Sequence, residues 1–257
     1  MKATPLSRVQ RHRLGECGPL LLVETNRELP LVHLVVAWRQ GSTADDASQW
    51  GLSRLALRLL RRTAGGRTAQ EVDLLVDGLG ASLGVDVSPT SMTLHGTVIT
   101  RSLEPFIELL VDALSRPSFA GEELELLRRE TLSELVQRLD DDRSLARRAF
   151  QHAVFGGHPY ARGATGTRAT LSTLGRDDVV ELHRSRLALQ DIVIAIAGDV
   201  SEETALGVAR RLVAELAPRS ASPDTVTEPT GPRGRRLIVV DKPERTQTQI
   251  FIGGLGT

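Results

Sequence analysis

The chain has 257 residues, of which 40% are hydrophobic and 25% charged, and its 32 lysines and arginines balance 32 aspartates and glutamates. This composition excludes a disordered chain, which combines few aliphatic residues with a large net charge. It also argues against a nucleic-acid partner, because binding to duplex phosphates needs many uncompensated cations. The single cysteine, Cys17, excludes a disulfide framework and a cysteine zinc site, so nothing in the sequence requires an oxidising compartment.

The N-terminus indicates no targeting or membrane segment. Residues 1–8 lead into further arginines instead of an apolar signal core, and no stretch approaches the roughly 20 apolar residues that span a bilayer. We therefore expect a cytoplasmic protein with no membrane partner. The length allows one large domain or two small ones.

The first elements predicted along the chain are two strands and a helix. Residues 20–25 and 31–38 are apolar runs separated by turn residues, which predicts a buried hairpin. Ser48 is expected to cap a helix in which leucines recur at helical spacing.

A second helix and a second hairpin follow. Thr68 and Glu71 have the three-residue spacing of a capping box, which predicts a helix beginning there. Residues 81–99 alternate between apolar and other side chains on both sides of Pro89, which predicts a hairpin interrupted at that proline.

The rest of the chain is predicted to be mainly helical until a linker. Residues 192–197 are an apolar run that predicts a buried strand. Residues 218–234 are rich in Pro, Ser, Thr and Gly, which predicts a linker. The predicted helices cover residues 102–114, 121–139, 145–155, 176–186 and 201–216, and two last strands are predicted at 237–240 and 250–252. This order of elements, without a regular βαβ alternation, predicts an α+β fold in which helices pack on one face of a mostly antiparallel mixed sheet.

Several short strings occur in an order that resembles one known family. They are RQGSTAD at residues 39–45, GLS at 51–53, GRTAQE at 66–71, HPYARGATGT at 158–167, IAGDV at 196–200 and QTQI at 247–250. Each string is weak alone, but their shared order over nearly the whole chain resembles the insulinase/pitrilysin-type zinc peptidases, which include the mitochondrial processing peptidase. The resemblance implies a first peptidase-like domain at residues 1–217, a linker at 218–234 and the start of a second, truncated homologous domain at 235–257.

In that family, the catalytic signature H-x-x-E-H lies on one helix. The corresponding helix of this chain opens with residues 51–53. Two histidines share a zinc ion, the glutamate activates the bound water, and a second glutamate later in the chain completes the site. The resemblance places these positions on Arg54, Leu57, Arg58 and Glu134. Arginine has only donors and stays protonated, and leucine has no basic atom. We therefore expect no catalytic residue, no metal and no cofactor in this chain, with Glu134 retained as a relic.

The arginines of this helix allow two interpretations. Arg54, Arg58, Arg61 and Arg62 fall on one side of the helix, which is typical either of a solvated polar face or of the cationic lining of a cavity. Glu134 is expected to form an ion pair with Arg54 or Arg58.

Two other segments are singled out by the resemblance. Residues 158–160 are expected to form a structural turn with a packed ring. A further segment matches the region in which catalytic relatives hold substrate as an added edge strand, and a plain hairpin strand is the alternative. The candidate substrate-binding residues are Ala81, Ser82, Leu83 and Gly84.

Many members of the family work as pairs, in which one subunit carries the zinc motif and a homologous partner has lost it. The resemblance therefore implies a non-catalytic subunit that forms a heterodimer with a catalytic zinc-peptidase paralogue, closes its chamber and helps to hold the peptide substrate. The alternative is a structural scaffold subunit with the same fold and no peptidase partner. A neighbouring gene for a paralogue with an intact motif would favour the first hypothesis.

Overall fold

The structure, a computed structural model, describes residues 9–16, 18–187, 192–216, 226–231, 234–243 and 245–256. The strands are β1 (Gln10–Arg13), β2 (Leu20–Thr25), β3 (Leu31–Trp38), β4 (Ser82–Val87), β5 (Met92–Ile99) and β6 (Ile192–Gly198). The helices are α1 (Leu52–Arg62), α2 (Ala69–Gly78), α3 (Leu103–Ser115), α4 (Gly121–Asp140), α5 (Asp142–Phe155), α6 (Arg168–Thr173), α7 (Arg176–Leu182) and α8 (Glu202–Val213). None of the described helices is both long and apolar enough to cross a membrane.

The six strands form one mostly antiparallel sheet. They lie in the order β1-β2-β6-β3-β5-β4, and among these pairs β2 and β6 run parallel. Alternate residues of the central strands are buried, as in β5, where Met92, Leu94, Gly96 and Val98 are buried and the residues between them are partly exposed. This alternation is that of a sheet with helices on one face. The predicted α+β fold is confirmed.

The predicted hairpin of residues 20–25 and 31–38 is wrong. Both runs are strands, but β6 lies between them, parallel to β2 and antiparallel to β3. The segment that joins β2 to β3 is bonded to the end of β6, where the amide of Asn26 donates to the carbonyl of Gly198 at 2.8 Å. A late strand of small and β-branched residues fills the centre of the sheet, and the local pattern around residues 20–38 contains no sign of it.

Two other local predictions are confirmed. The amide of Glu71 donates to Oγ1 of Thr68 at 3.3 Å, and the amide of Thr68 donates to Oε2 of Glu71 at 2.8 Å, which is a complete capping box on α2. The hairpin of β4 and β5 is also present, and Pro89 lies in its turn, which the amide of Ser88 closes by donating to the carbonyl of Ser91 at 2.8 Å.

The start of α1 differs from the prediction. Ser48 lies in a short 3-10 turn (Ala47–Gln49), and α1 begins at Leu52, preceded by Gly51. The φ of Gly51 is 102°, which favours glycine, and a Cβ there would lie 2.9 Å from the carbonyl oxygen of Thr165. The helix therefore begins after a tight turn and not at a serine cap.

The strands predicted at residues 237–240 and 250–252 are not formed. Their apolar side chains are largely exposed, because no strand in the described part of the chain pairs with them. Much of the predicted linker, residues 218–225 and 232–233, lies outside the described residues, as does Cys17. The division into domains stays a prediction.

Helix α1 lies inside the core. Leu55, Leu57, Leu59 and Leu60 are all buried. The helix packs against α4 and α7 and against the strands β4 and β5. Because α1 is surrounded by other elements, its arginines reach solvent or ion-pair partners along the side that faces α4 and β4. The candidate site lies on that side.

Candidate functional site

A buried aspartate holds the start of the helix that carries the motif positions. The carboxylate of Asp45 accepts from the amides of Gly51 at 3.2 Å and Ser53 at 3.1 Å, and from the hydroxyl of Ser53 at 2.5 Å. It also accepts from Nη2 of Arg186 at 3.0 Å, and the Asp45 side chain has no exposed surface. The carboxylate thus accepts from amides that would otherwise be left unpaired at the helix N-terminus.

Arg54, Arg58 and Glu134 form one bridge between α1 and α4. Nη2 of Arg54 lies 2.9 Å from Oε2 of Glu134, and Nη1 of Arg58 lies 2.9 Å from Oε1. The expected ion pair of Glu134 is therefore present, and it involves both arginines. The alignment that put Glu134 opposite the motif helix agrees with this geometry.

The bridge continues along the same two helices. Nη1 of Arg58 donates to the hydroxyl of Thr131 at 3.2 Å, and its Nη2 lies 3.5 Å from Oε2 of Glu130. Nη2 of Arg62 lies 2.6 Å from the same oxygen. Glu130 and Glu134 are one helical turn apart on α4. Glu134 therefore contacts Arg54 and Arg58, and Glu130 contacts Arg58 and Arg62. The arginines of α1 thus connect the two helices.

Burial and charge oppose each other at Glu134. Burial raises the pKa of its carboxyl, but the charges of Arg54 and Arg58 and the hydrogen bonds from them outweigh that effect, so that the pKa lies below its ordinary value. The pKa of Arg58 is lowered, first by burial and then by the charge of Arg54. The bridge is therefore an ionised carboxylate between two closely spaced cations.

This arrangement does not fit a zinc ion. Two guanidinium groups present N–H donors where ligands would need lone pairs, and Leu57 is fully buried in the core. Among the described residues, no three His, Cys, Asp or Glu side chains are grouped so that they could hold a metal ion. Arg54 and Arg58 form ion pairs, and neither they nor Leu57 offers a lone pair that could hold zinc.

A pocket of about 400 Å³ lies beside the bridge. It is lined by Arg54 and Arg58 from α1, Arg138 from α4, Thr165 and residues 85–87 of β4, among others. Nη1 of Arg138 donates to the hydroxyl of Thr165 at 2.6 Å. Arg54 and Arg58 thus line a cavity. Arg61 does not line it, and its Nη2 lies 2.7 Å from Oδ1 of Asp73.

One of the candidate substrate-binding residues, Leu83, has its outward carbonyl already hydrogen-bonded. Strand β4 is the last strand of the sheet order, and the carbonyl of Leu83 accepts from Nε of Arg61 at 3.0 Å. Because carbonyls alternate between the two sides of a strand, those of Val85 and Val87 lie on the same outward side. The Leu83 carbonyl in the predicted segment, residues 81–84, is occupied by Arg61, and residues 85–87 line the arginine pocket.

Residues 158–160 form a packed turn, as predicted. The ring of Tyr160 makes edge contacts with His158 and with Phe155. Nδ1 of His158 accepts from the amide of Tyr160 at 3.1 Å, so Nε2 carries the proton and donates to the carbonyl of Thr227 at 2.6 Å. The turn packs against helix α5.

Sequence reasoning missed Arg138 and Thr165, and it also missed the other lining residues Val85, Asp86, Val87 and Ala164. Arg138 follows Glu134 by four positions on α4, so helical spacing contained a signal for it. Thr165 lies within the string at 158–167, but nothing in its local sequence indicates a contact with α4. Only the fold brings it to the pocket.

A family model described as peptidase M16 inactive domain matches residues 173–257. A Mycobacterium leprae protein described as an uncharacterized zinc protease is 25% identical over 214 residues, covering 83% of this chain and 48% of that protein. The non-peptidase homolog YmxG of Helicobacter pylori is 24% identical over 200 residues, covering 78% of this chain and 46% of that protein. The chain spans about half the length of these curated relatives.

A solved structure supports the same fold. The peptidase M16 inactive domain from Pseudomonas fluorescens matches with a TM-score of 0.80 and 22% identity, covering 87% of this chain and 54% of that one. The match agrees with the α+β architecture. The chain is therefore similar in sequence and in fold to peptidase M16 proteins, and its residues 173–257 match the model of their inactive domain.

Proposed function

We propose that this chain is the non-catalytic subunit of a two-subunit zinc peptidase, in which it closes the substrate chamber and helps to hold a peptide for a catalytic paralogue. One observation carries the proposal. Arg54, Arg58 and Glu134, on which the resemblance places positions of the zinc motif, form an ion-pair bridge between α1 and α4.

The surroundings of the bridge support a role in holding peptide. Strand β4 is an edge strand, and the outward groups of Val85 and Val87 are the hydrogen-bonding sites that an added peptide strand uses. These residues line a pocket large enough to receive a side chain of such a peptide. The family resemblance to a protein named a non-peptidase homolog agrees with a role without catalysis.

The test needs the full-length protein and a paralogue from the same genome that carries an intact H-x-x-E-H motif. Each protein is assayed alone and mixed, with fluorogenic peptides, and the mixture is examined by gel filtration. We expect the two proteins to elute as a heterodimer, and we expect cleavage to be absent with this chain, weak with the paralogue and strong with the mixture. The inactive control is a variant of the paralogue in which the glutamate of the H-x-x-E-H motif is changed to glutamine.

A single substitution tests the edge strand. Val85→Pro removes an outward amide without removing a ladder bond to β5, so the chain should stay folded by circular dichroism while the mixture loses peptide affinity. If the paralogue alone cleaves as fast as the mixture, the chain is not a required subunit and the scaffold hypothesis replaces this one. A cytoplasmic location belongs to the same proposal, since a chain with one cysteine needs no oxidising compartment for internal disulfides.

A further inference from the structure

The pocket beside β4 has more positive than negative charge. Arg54, Arg58 and Arg138 line it, and Asp86 is the acidic residue among the lining side chains. The carboxylate of Asp86 is largely exposed and lies 3.0 Å from Nε2 of His95, so it turns toward β5. The pocket itself therefore presents mainly guanidinium groups.

The carboxylates beside these groups are each shared between two arginines, and Glu130 lies 3.5 Å from Arg58 and 2.6 Å from Arg62. Glu134 is shared between Arg54 and Arg58. Arg138 has no carboxylate contact among those described and donates to a neutral hydroxyl, that of Thr165. Nη1 of Arg54 is buried and has no hydrogen-bond partner in the described part of the chain. Arg138 thus brings to the pocket a positive charge that no described carboxylate contacts.

The electrostatics of Arg58 agree with an excess of positive charge. Its pKa is lowered first by burial and next by the charge of Arg54, and the opposing effect of Glu134 is smaller than these together. A second anion in the pocket would relieve the repulsion between the arginines.

We propose that this arginine pocket binds the carboxylate of a peptide that lies along β4, supplied either by an acidic side chain or by the peptide's C-terminus. The guanidinium group matches a carboxylate with two parallel hydrogen bonds, and the pocket is continuous with residues 85–87 of the edge strand. The peptide part of this inference rests on the proposed function, whereas the carboxylate site itself does not. It gives this subunit a preference for peptides that place a carboxylate beside β4.

The first experiment tests the site without any peptide. Sodium acetate is titrated into the 15N-labelled chain at constant ionic strength, with chloride as the balancing ion, and the side-chain Nε–H signals of the arginines are followed. We expect a saturable shift for Arg54, Arg58 and Arg138. Arg138→Gln should weaken acetate binding roughly tenfold, the effect of one charge-assisted hydrogen bond. Arg184→Gln is the matched control, because Arg184 is an exposed arginine that does not line the pocket.

A second variant separates binding from a structural role. Glu134→Gln removes the competing carboxylate and leaves the arginines, so acetate should bind more tightly to the folded variant. A purely structural bridge would give no such gain. Shifts that do not saturate, or that chloride produces equally, would overturn the carboxylate site.

The third experiment tests the peptide. The probes are Ac-VTVEVT-NH2, its Glu-to-Gln form, and Ac-VTVQVT with a free C-terminus, and calorimetry measures their affinities for the wild-type chain and for Arg138→Gln. We expect either carboxylate to raise affinity roughly tenfold over the neutral peptide, and Arg138→Gln to abolish that difference. Equal binding of all three peptides would overturn this inference and leave the proposed function standing. Acetate binding without any peptide binding would contradict the proposed function and confine the site to free carboxylates.

Discussion

Glu134 pairs with two arginines between α1 and α4. Its carboxylate contacts Arg54 and Arg58 at 2.9 Å each, and all three side chains are less than one third exposed. Partly buried charges are screened less by salt than charges on the open surface. Removing one partner of such a group leaves the others uncompensated, so the bridge is sensitive to a change at this one residue.

We expect Glu134→Gln to lower the free energy of unfolding by about 1 to 3 kcal/mol at neutral pH, because the two arginines then lack the carboxylate between them. The effect depends on pH. The pKa of Glu134 in the folded chain lies below its ordinary value of 4.5, so its stabilisation is present above that value and is lost as the pH falls through the folded pKa. Urea unfolding over a series from neutral to acid pH measures the loss of stability and its pH dependence. The difference in free energy of unfolding between variant and wild type should shrink in acid.

Glu125→Gln is the matched control for this measurement. Glu125 pairs with Arg128 on the same helix and is 61% exposed, so its loss should change stability little. If the Glu134 variant is as stable as the wild type at every pH, the bridge makes no net contribution to folding.

Replacing the two arginines by histidine tests the geometry of the motif positions. Arg54→His together with Arg58→His places two imidazoles one helical turn apart on α1, facing the carboxylate of Glu134. We expect this double variant to bind one zinc ion per chain and the wild type to bind none, by metal analysis after dialysis. Leu57 is left unchanged, because a glutamate at this fully buried position would place a carboxylate in the core.

The carboxylate provides the control for zinc binding. The double variant with Glu134→Gln should bind zinc much more weakly, since it lacks the third ligand. Equal affinity with and without the carboxylate would place Glu134 outside the metal site and its alignment would be wrong. Stoichiometric zinc in the wild type would contradict the assignment of Arg54 and Arg58.

At the scale of elements, α1 depends on an aspartate that precedes it by seven positions. We expect Asp45→Asn to lower the free energy of unfolding by about 2 to 4 kcal/mol, because it leaves Arg186 without its charge partner and weakens the bonds from the helix start. Urea unfolding measures the loss. Asp46→Asn, an exposed neighbour, should have little effect, and equal losses for both would show that the Asp45 contacts do not hold the helix.

Elements were predictable where one segment contains its own signal. The capping box of Thr68 and Glu71 and the long helix at 121–139 are both present, the latter as Gly121–Asp140. The pairing of β2 with β3 was not predictable, because the strand between them comes more than 150 residues later. The start of α1 was misplaced for a related reason, since its cap is supplied by Asp45 across a turn and not by the adjacent Ser48.

At the scale of the whole molecule, the candidate site combines segments that only the fold brings together. The resemblance placed Glu134 opposite Arg54 and Arg58, and the contacts are present. The rest of the pocket comes from β4, the end of α4 and the loop at Thr165, which are far apart in sequence. Sequence spacing can relate residues within one helix, but it cannot show which loop covers that helix.

The apolar segments after the predicted linker give the last expectation. Leu237, Val239, Ile250 and Ile252 are 90%, 77%, 74% and 92% exposed, and their backbone forms no strand in the described structure. Extended apolar segments without a sheet partner pair readily with other chains, so we expect this chain to self-associate as its concentration rises. Val239→Lys with Ile252→Lys should reduce that association, by sedimentation velocity, without changing the urea midpoint, because neither side chain is buried.

Leu74→Lys is the control for the loss of an exposed apolar side chain, because Leu74 is 65% exposed on helix α2, whose backbone is already satisfied within the helix. It should leave self-association unchanged. If Leu74→Lys reduces association as much as the double variant does, general surface hydrophobicity drives it and the extended segments do not. If the double variant lowers the urea midpoint instead, those segments contribute to the stability of the fold, and their exposed side chains are not the surface at which other chains bind.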